Sequence, residues 1–313
     1  MRVAGTSYSE SMTNQINLLA GRQLQLQNQA TTGQSVTAPS DDPAAMATAL
    51  GLQAQNSNVS QYGQNITTLQ NRATLVGNAL QQLKTITDRV SEIATESDDL
   101  SSPSELQANA QETTQLIQQA VQVLNSKDGD QYLFGGTASG QPPFVATTDT
   151  NGNVTGVTYQ GNTGVTDNEI GQNSTVSVDI PGANTAGSGA RGLVTDSRYG
   201  ADLFTHMISL QNNLVSGNTA AITSTDTQDL SNDSDNIIYQ VSNNGAVQTR
   251  LEVAASAIST QQTALNSSLN SVAGADLTTT LSQLTQTQNA YQIALQSTSQ
   301  ILQLQTSLLS YLP

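Results

Sequence analysis

From Leu52 to Ala94 one stripe of side chains recurs at alternating intervals of three and four: Leu52, Gln55, Val59, Tyr62, Ile66, Leu69, Ala73, Val76, Leu80, Leu83, Thr87, Val90 and Ala94. Residues three and four apart share a helix face, and a stripe that keeps this phase so long fits a helix with a partner along its seam. At 1.5 Å per residue it predicts a rod about 65 Å long. Long helices are not stable alone in water, so a second part of the chain is expected to return beside the first.

Composition agrees with an extended arrangement. Hydrophobic residues make up 36% of the 313, too lean for one large compact core. Nine basic against 24 acidic residues give a net charge of -15, which repels phosphate backbones and excludes nucleic acid as a partner. Only 11% of residues are charged, so the polar surface is mostly Gln, Asn, Ser and Thr, which favours close packing of identical subunits. There is no Cys, which removes disulfides and thiolate chemistry and leaves the redox compartment open. The first thirty residues hold Arg2 but no continuous apolar segment of secretory type, and no run is long enough to span a membrane. The expectation is no membrane insertion and, if the protein is exported, a route without a cleavable signal peptide.

Other helices follow from the same periodicity. Met12, Ile16, Leu19, Gln23, Leu26 and Ala30 form a first seam that Gly33 stops. Asp42 before Pro43 reads as an N-cap with proline at the first helical position. Ser102, Pro103 and Glu105 form a capping box ahead of Leu106, Ala110, Thr113, Ile117, Ala120 and Leu124. Leu203, Met207, Leu210 and Leu214 make a helix ending at Gly217, and a long stripe resumes from Leu230 to Val272. After a phase shift at 273–276, Leu277, Leu281, Leu284, Gln288, Tyr291, Leu295, Thr298, Leu302, Gln305, Leu309 and Leu312 form the last seam. Gln23, Gln288, Thr298 and Gln305 weaken the terminal seams while fixing their register.

Residues 132 to about 195 lose helical period and alternate as short strands between turns, as in "VTGVTYQG" and "STVSVDIPG". The expected fold is mainly α with a small β-rich domain: an elongated antiparallel helical coiled-coil shaft formed by the N- and C-terminal segments, with a central β insertion. A helical bundle with a large insertion predicts the same pattern. The expected domains are 1–40 with 275–313 (terminal helices), 41–131 with 196–274 (shaft) and 132–195 (outer β-rich domain). Two of the three Phe, Phe134 and Phe144, lie with Tyr132 in "YLFGGTASGQPPF", where large rings would fasten the β domain, with a core of its own, to the helices.

Chemical motifs are weak. His206 is the only histidine and reads as a partly buried structural residue. "GSGARG" at 187–192 matches a dinucleotide fingerprint without the helix that should follow it, and "TTDTNGN" at 147–153 has calcium-loop composition but Thr at the first and twelfth ligand positions. The acidic clusters at 96–99 and 232–235 read as caps and solvated faces. No catalytic residue, cofactor or metal site is assigned.

The segments "MRVAGTSYSESMTNQI", "QLQNQATTGQSVTAPSDDPAAMATAL", "NNGAVQTRLEVAASAI" and "AGADLTTTLSQLTQTQNAYQIALQSTSQILQLQTSLLSYL" resemble the bacterial flagellin family over most of the chain outside the β region. Pro43 within "SDDPAA" and the aromatic stretch are more similar to the family's hook-filament junction members than to filament subunits. The resemblance implies a structural, non-enzymatic axial protein of the flagellum, outside the cell. It also implies type III export with an export chaperone, self-association, and contacts with flagellin and the other hook-associated junction protein. Filament flagellin is the alternative; an exported enzyme or ligand-binding module acting through 132–195 is the third reading. The expected subunit interface is Met12, Ile16, Leu19, Leu26, Leu281, Leu284, Tyr291, Leu295, Leu302 and Leu309. The expected joints are Ser40, Asp41, Asp42 and Pro43, with Tyr132, Phe134 and Phe144.

Overall fold

A computed structural model describes residues 2–310, with side chains from 10 to 304. Three helices come first, α1 (Arg2–Thr32), α2 (Pro43–Glu96) and α3 (Pro103–Leu124). Nine short strands follow: β1 (Lys127–Asp128), β2 (Gln131–Tyr132), β3 (Phe144–Thr148), β4 (Val154–Tyr159), β5 (Asn168–Gly171), β6 (Ser174–Val176), β7 (Ala183–Asn184), β8 (Thr195–Asp196) and β9 (Ala201–Asp202). The chain then returns through α4 (Leu203–Ser216), α5 (Thr219–Ala221), a π-helical turn (Ile222–Asp226), α6 (Thr227–Ala273) and α7 (Leu277–Ser310). Among the described residues no helix is long and apolar enough to cross a membrane.

Local chemistry sets the helix ends. Asp42 Oδ1 accepts the N–H groups of Ala44 and Ala45, each at 3.0 Å, and Pro43 needs no acceptor at the first position of α2. At α3, Ser102 Oγ accepts the Glu105 N–H at 3.3 Å while Glu105 Oε2 accepts that of Ser102 at 2.7 Å. Gly217, at φ 70°, takes the left-handed conformation that ends α4.

The chain divides into two compact units, a body of residues 61–259 and a terminal unit of residues 1–60 with 260–313. In the body, Leu80, Leu83 and Ile93 of α2, Ile117 and Leu124 of α3, Leu203 and Met207 of α4, and Leu230 and Ile237 of α6 belong to one core with Leu133, Phe134, Phe144, Val154 and Leu193 of the strand region. The expected separate β core is therefore corrected. The strands run two to six residues, in three two-stranded sheets and one three-stranded sheet. Such small pieces do not bury a face unaided and must share the helical core.

One side of α6 is buried and polar: Asp233, Asn236, Gln240 and Asn244 are at most 5% exposed. Asn236 Nδ2 donates to the Gly192 carbonyl at 3.0 Å, Gln240 Nε2 to that of Arg191 at 3.0 Å, and Asn244 Nδ2 to that of Ala73 at 3.1 Å. The loop at 189–193 needs donors for its carbonyls, and α6 supplies them. This also corrects the reading of 232–235 as a solvated face, because Asp233 is 1% exposed.

Within the terminal unit α1 and α7 pack antiparallel. Thr298 Oγ1 lies 3.5 Å from Met12 Sδ, and toward the other end Gln34 bridges Gly274. Ser35 N–H donates to the Ala273 carbonyl at 2.7 Å and Ala275 N–H to that of Gly33 at 2.8 Å, so both breaks between helices are tied into one joint.

Candidate assembly interface

The ten expected interface residues divide by side. On α1, Leu26 is buried at 2% and Met12, Ile16 and Leu19 are half-buried, while Leu18 and Leu24, absent from the sequence-based set, stand exposed at 66% and 63%. On α7, Leu284 and Tyr291 are half-buried, whereas Leu281, Leu295 and Leu302 are 52%, 43% and 50% exposed. Leu309 lies on α7 with its side chain outside the described residues. One stripe thus holds two rows at seven-residue intervals: Leu284, Tyr291 and Thr298 are part-covered, while Leu281, Gln288, Leu295 and Leu302 are open. A single neighbouring helix covers one flank of such a stripe and leaves the other exposed to solvent. Gln23 lines a shallow groove with Gln288, Tyr291, Gln292 and Leu295.

The joint beside this pair is built from carboxylates. Asp41 Oδ2 accepts the N–H groups of Thr37 at 3.1 Å and Ala38 at 3.0 Å, and these two bonds hold its carboxyl below the usual range. Asp276 caps α7, its Oδ2 taking the Thr279 hydroxyl at 2.7 Å and its Oδ1 the Thr278 N–H at 2.9 Å, and Thr279 above all lowers it. In the sequence this place shows as a phase shift, yet Asp276 directly before Leu277, the first apolar residue of the last seam, is an N-cap signal. Ser40 and Pro43 are exposed.

The aromatic stretch is a buried knot. Phe134 is fully buried and Phe144 is 3% exposed, its ring 5.1 Å from that of Tyr159 and 5.7 Å from that of Phe204. All three Phe thus lie in one core, a convergence that sequence spacing does not reveal for Phe204. Asn125 clamps the Phe144 backbone, donating from Nδ2 to its carbonyl at 2.8 Å and accepting its N–H at 3.0 Å. The Tyr159 hydroxyl donates to the Phe134 carbonyl at 3.0 Å and accepts the Gly182 N–H at 3.1 Å; burial pushes its pKa up. Gly182 has no room for a side chain, since a Cβ would fall 2.5 Å from Phe144 Cζ. Tyr132 is half-buried, with Lys127 Nζ 4.5 Å from its ring centroid.

The remaining polar clusters hold loops. His206 Nδ1 lies 2.8 Å from Asp233 Oδ2, and Asp233 Oδ1 accepts the Asp202 N–H at 2.8 Å. Burial pulls the imidazole pKa down, but the Asp233 hydrogen bond and the charges of Asp233, Asp229 and Asp202 outweigh it and leave it raised. Burial also raises Asp233, with His206 opposing. In "GSGARG", Gly187 and Gly189 take φ of 74° and 83°, and Asn184 Nδ2 donates to the Ser188 and Ala190 carbonyls at 2.8 and 2.6 Å. Asp196, fully buried, takes Arg198 at 2.9 and 2.6 Å and is held low chiefly by that guanidinium. Asp149 of "TTDTNGN" accepts the N–H groups of Asn151 and Asn153 at 2.8 and 2.9 Å, forming the turn between β3 and β4.

The bacterial flagellin N-terminal helical region matches residues 4–139, and the bacterial flagellin C-terminal helical region matches residues 230–312. Among solved structures, a protein assigned as flagellar hook-associated from Vibrio parahaemolyticus aligns with a TM-score of 0.63 at 16% identity, over 75% of this chain and 100% of that one. Flagellar hook-associated protein-3 from Legionella pneumophila gives 0.58 at 15%, over 71% and 98%. FlgL from Xanthomonas campestris gives 0.56 at 22%, over 70% and 99%. No curated protein sequence matches the chain.

Proposed function

The chain belongs to the bacterial flagellin family, and on that premise we propose that it is the structural subunit joining hook to filament, the role named by hook-associated protein 3. The observation that carries the reading is the open row Leu281, Leu295 and Leu302 on α7. Fully burying an exposed Leu side chain is worth about 1.5–3 kcal/mol, and these three, 43–52% exposed, would each gain about half of that once a second copy covers the row. The fold shared with hook-associated structures supports the junction role over the filament role, as do "SDDPAA" and the aromatic stretch.

In this reading residues 1–40 with 275–313 are the inner tube domain, 41–131 with 196–274 the helical shaft domain, and 132–195 the outer β-rich domain. The subunit is exported by the flagellar type III route with a chaperone. It acts outside the cell without catalysing a reaction, and contacts copies of itself, the other hook-associated junction protein and flagellin. Electron microscopy of a deletion strain tests this. Hooks without filaments, with flagellin released to the medium, is the expected result. Complete filaments in the deletion strain, or absence of flagellin altogether, would remove the junction role.

A further inference from the structure

We propose that the body of residues 61–259 carries a second contact between copies, in which the turn bearing Leu100 seats in the cleft around Arg191 of the next copy. The proposal rests on the assembly reading above and locates a contact away from the terminal helices.

The cleft is lined by Ile180, Pro181, Arg191, Arg198, Tyr199 and Tyr239, among others. The Arg191 guanidinium carbon lies 3.6 Å from the ring centroid of Tyr199 and 4.2 Å from that of Tyr239, a cation held between two aromatic faces. Its Nε donates to Asn236 Oδ1 at 2.5 Å, and among the described residues its other N–H donors have no protein acceptor. The neighbouring charges are already matched: Arg198 with Asp196 at 2.6 Å, and Asp179 with Arg72 at 3.1 Å. Arg191 is therefore the cleft's uncompensated charge. Tyr199 and Tyr239 remain 49% and 46% exposed, and exposed Tyr beside Arg is the composition of an interface anchor.

The occupant has to bring a carboxylate and an apolar group, and this chain has 24 acidic residues to offer. Leu100, between α2 and α3, is 92% exposed. It is held outward by design of the turn: Asp98 Oδ1 accepts its N–H at 2.9 Å, and Ser101 N–H donates to the Asp98 carbonyl at 3.1 Å. Exposed Glu96, Asp98 and Asp99 flank it, and Thr219 donates its hydroxyl to Asp99. That bond fixes the turn just past the C-terminal end of α4, whereas Tyr199 and Arg191 precede its N-terminal end. Knob and cleft are thus separated by the fourteen residues of α4, about 20 Å of helix. Joining opposite ends of one body is a heterologous contact, which repeats along a row of copies instead of closing a two-fold pair.

The chain has no Cys, so introduced cysteines report on this contact without background. Ser104→Cys, beside the knob, and Asn243→Cys, lining the cleft, are made in separate full-length chains, mixed and mildly oxidised, with Val253→Cys, 66% exposed in the wild type, as control partner for Ser104→Cys. The expected result is a several-fold excess of 104–243 disulfide dimers over 104–253 dimers, lost when Asp98→Asn and Asp99→Asn are added to the Ser104→Cys chain. Asn keeps an oxygen that accepts the Leu100 N–H and the Thr219 hydroxyl, so those changes remove charge and not the turn. Dimers no more abundant than the control overturn the contact; an excess that survives both changes overturns the pairing with Arg191. Because purified chains are used, either failure is separate from the deletion-strain phenotype that tests the junction role.

Discussion

In the body, Leu80, Leu83, Ile93, Ile117 and Phe134 are all but sealed from solvent, whereas Leu18, Leu24, Ile293 and Leu304 of the terminal pair are 61–66% exposed. The two regions share the same raw material, long helices with stripes at intervals of three and four. They differ in what lies opposite the stripe. In the body, α2, α3, α4, α6 and the strand region converge, and each apolar flank meets another element. In the terminal unit, packing between α1 and α7 leaves a leucine row uncovered. A stripe therefore reports where apolar area is, and the number of neighbours decides whether it becomes a core or a contact surface.

Substitutions ranked by their effect on the stability of the isolated chain probe that difference. The largest is Phe134→Ala, expected to cost about 3–5 kcal/mol as deletion of a fully buried ring. Because the core is continuous, the helical circular dichroism signal of the body should melt at a lower temperature together with the strand region. Strands lost while the helices melt as before would show two cores after all. Gly182→Ala comes next. Its new methyl meets Phe144 Cζ and Tyr159 Cε2 at 2.5 and 2.6 Å and should cost about 1–3 kcal/mol, the usual range for overpacking. Denaturant midpoints of the two variants suffice to order them.

Smaller still is the pH response of the body. The folded pKa of His206 lies above its unfolded value of 6.5, so its contribution is complete below about pH 6.5 and is lost as pH rises through the folded value. The urea midpoint should fall slightly on going from pH 6 toward pH 9, and His206→Asn should flatten that slope. An unchanged slope in the variant would mean that another group produces it.

Helix limits were legible because their signals are local: Asp42 before Pro43, Ser102 with Glu105, and Gly217 each form the cap their spacing announces. Family membership was legible for the same reason, since it is carried by contiguous segments. Burial was not, because it depends on distant residues. Asn236, Gln240 and Asn244 look like a solvated face until the carbonyls of Gly192, Arg191 and Ala73 are placed against them. Leu281 and Leu284 are three positions apart on one seam, yet only Leu284 is half-buried. Periodicity assigns both to a contact and is silent on which of them the chain's own helices cover.

That split gives the smallest expected change in stability and the sharpest test of the comparison. Leu281 and Leu302 are 52% and 50% exposed, so replacing both by Asp removes little buried area and should shift the stability of the isolated chain by no more than about 0.5 kcal/mol per site. In an assembly the same carboxylates would sit between packed helices, where an unpaired charge costs several kcal/mol. The Leu281→Asp, Leu302→Asp chain should therefore melt like the wild type and fail to restore filament growth in a deletion strain. Leu26→Asp, at 2% exposure, should instead lose the terminal pair in the isolated chain as well. If the exposed pair destabilised the isolated chain as much as Leu26→Asp does, the open row would be part of the monomer's own packing. If it left assembly intact, the row would be ordinary solvated surface, and the interface would have to be sought on the other flank of α7.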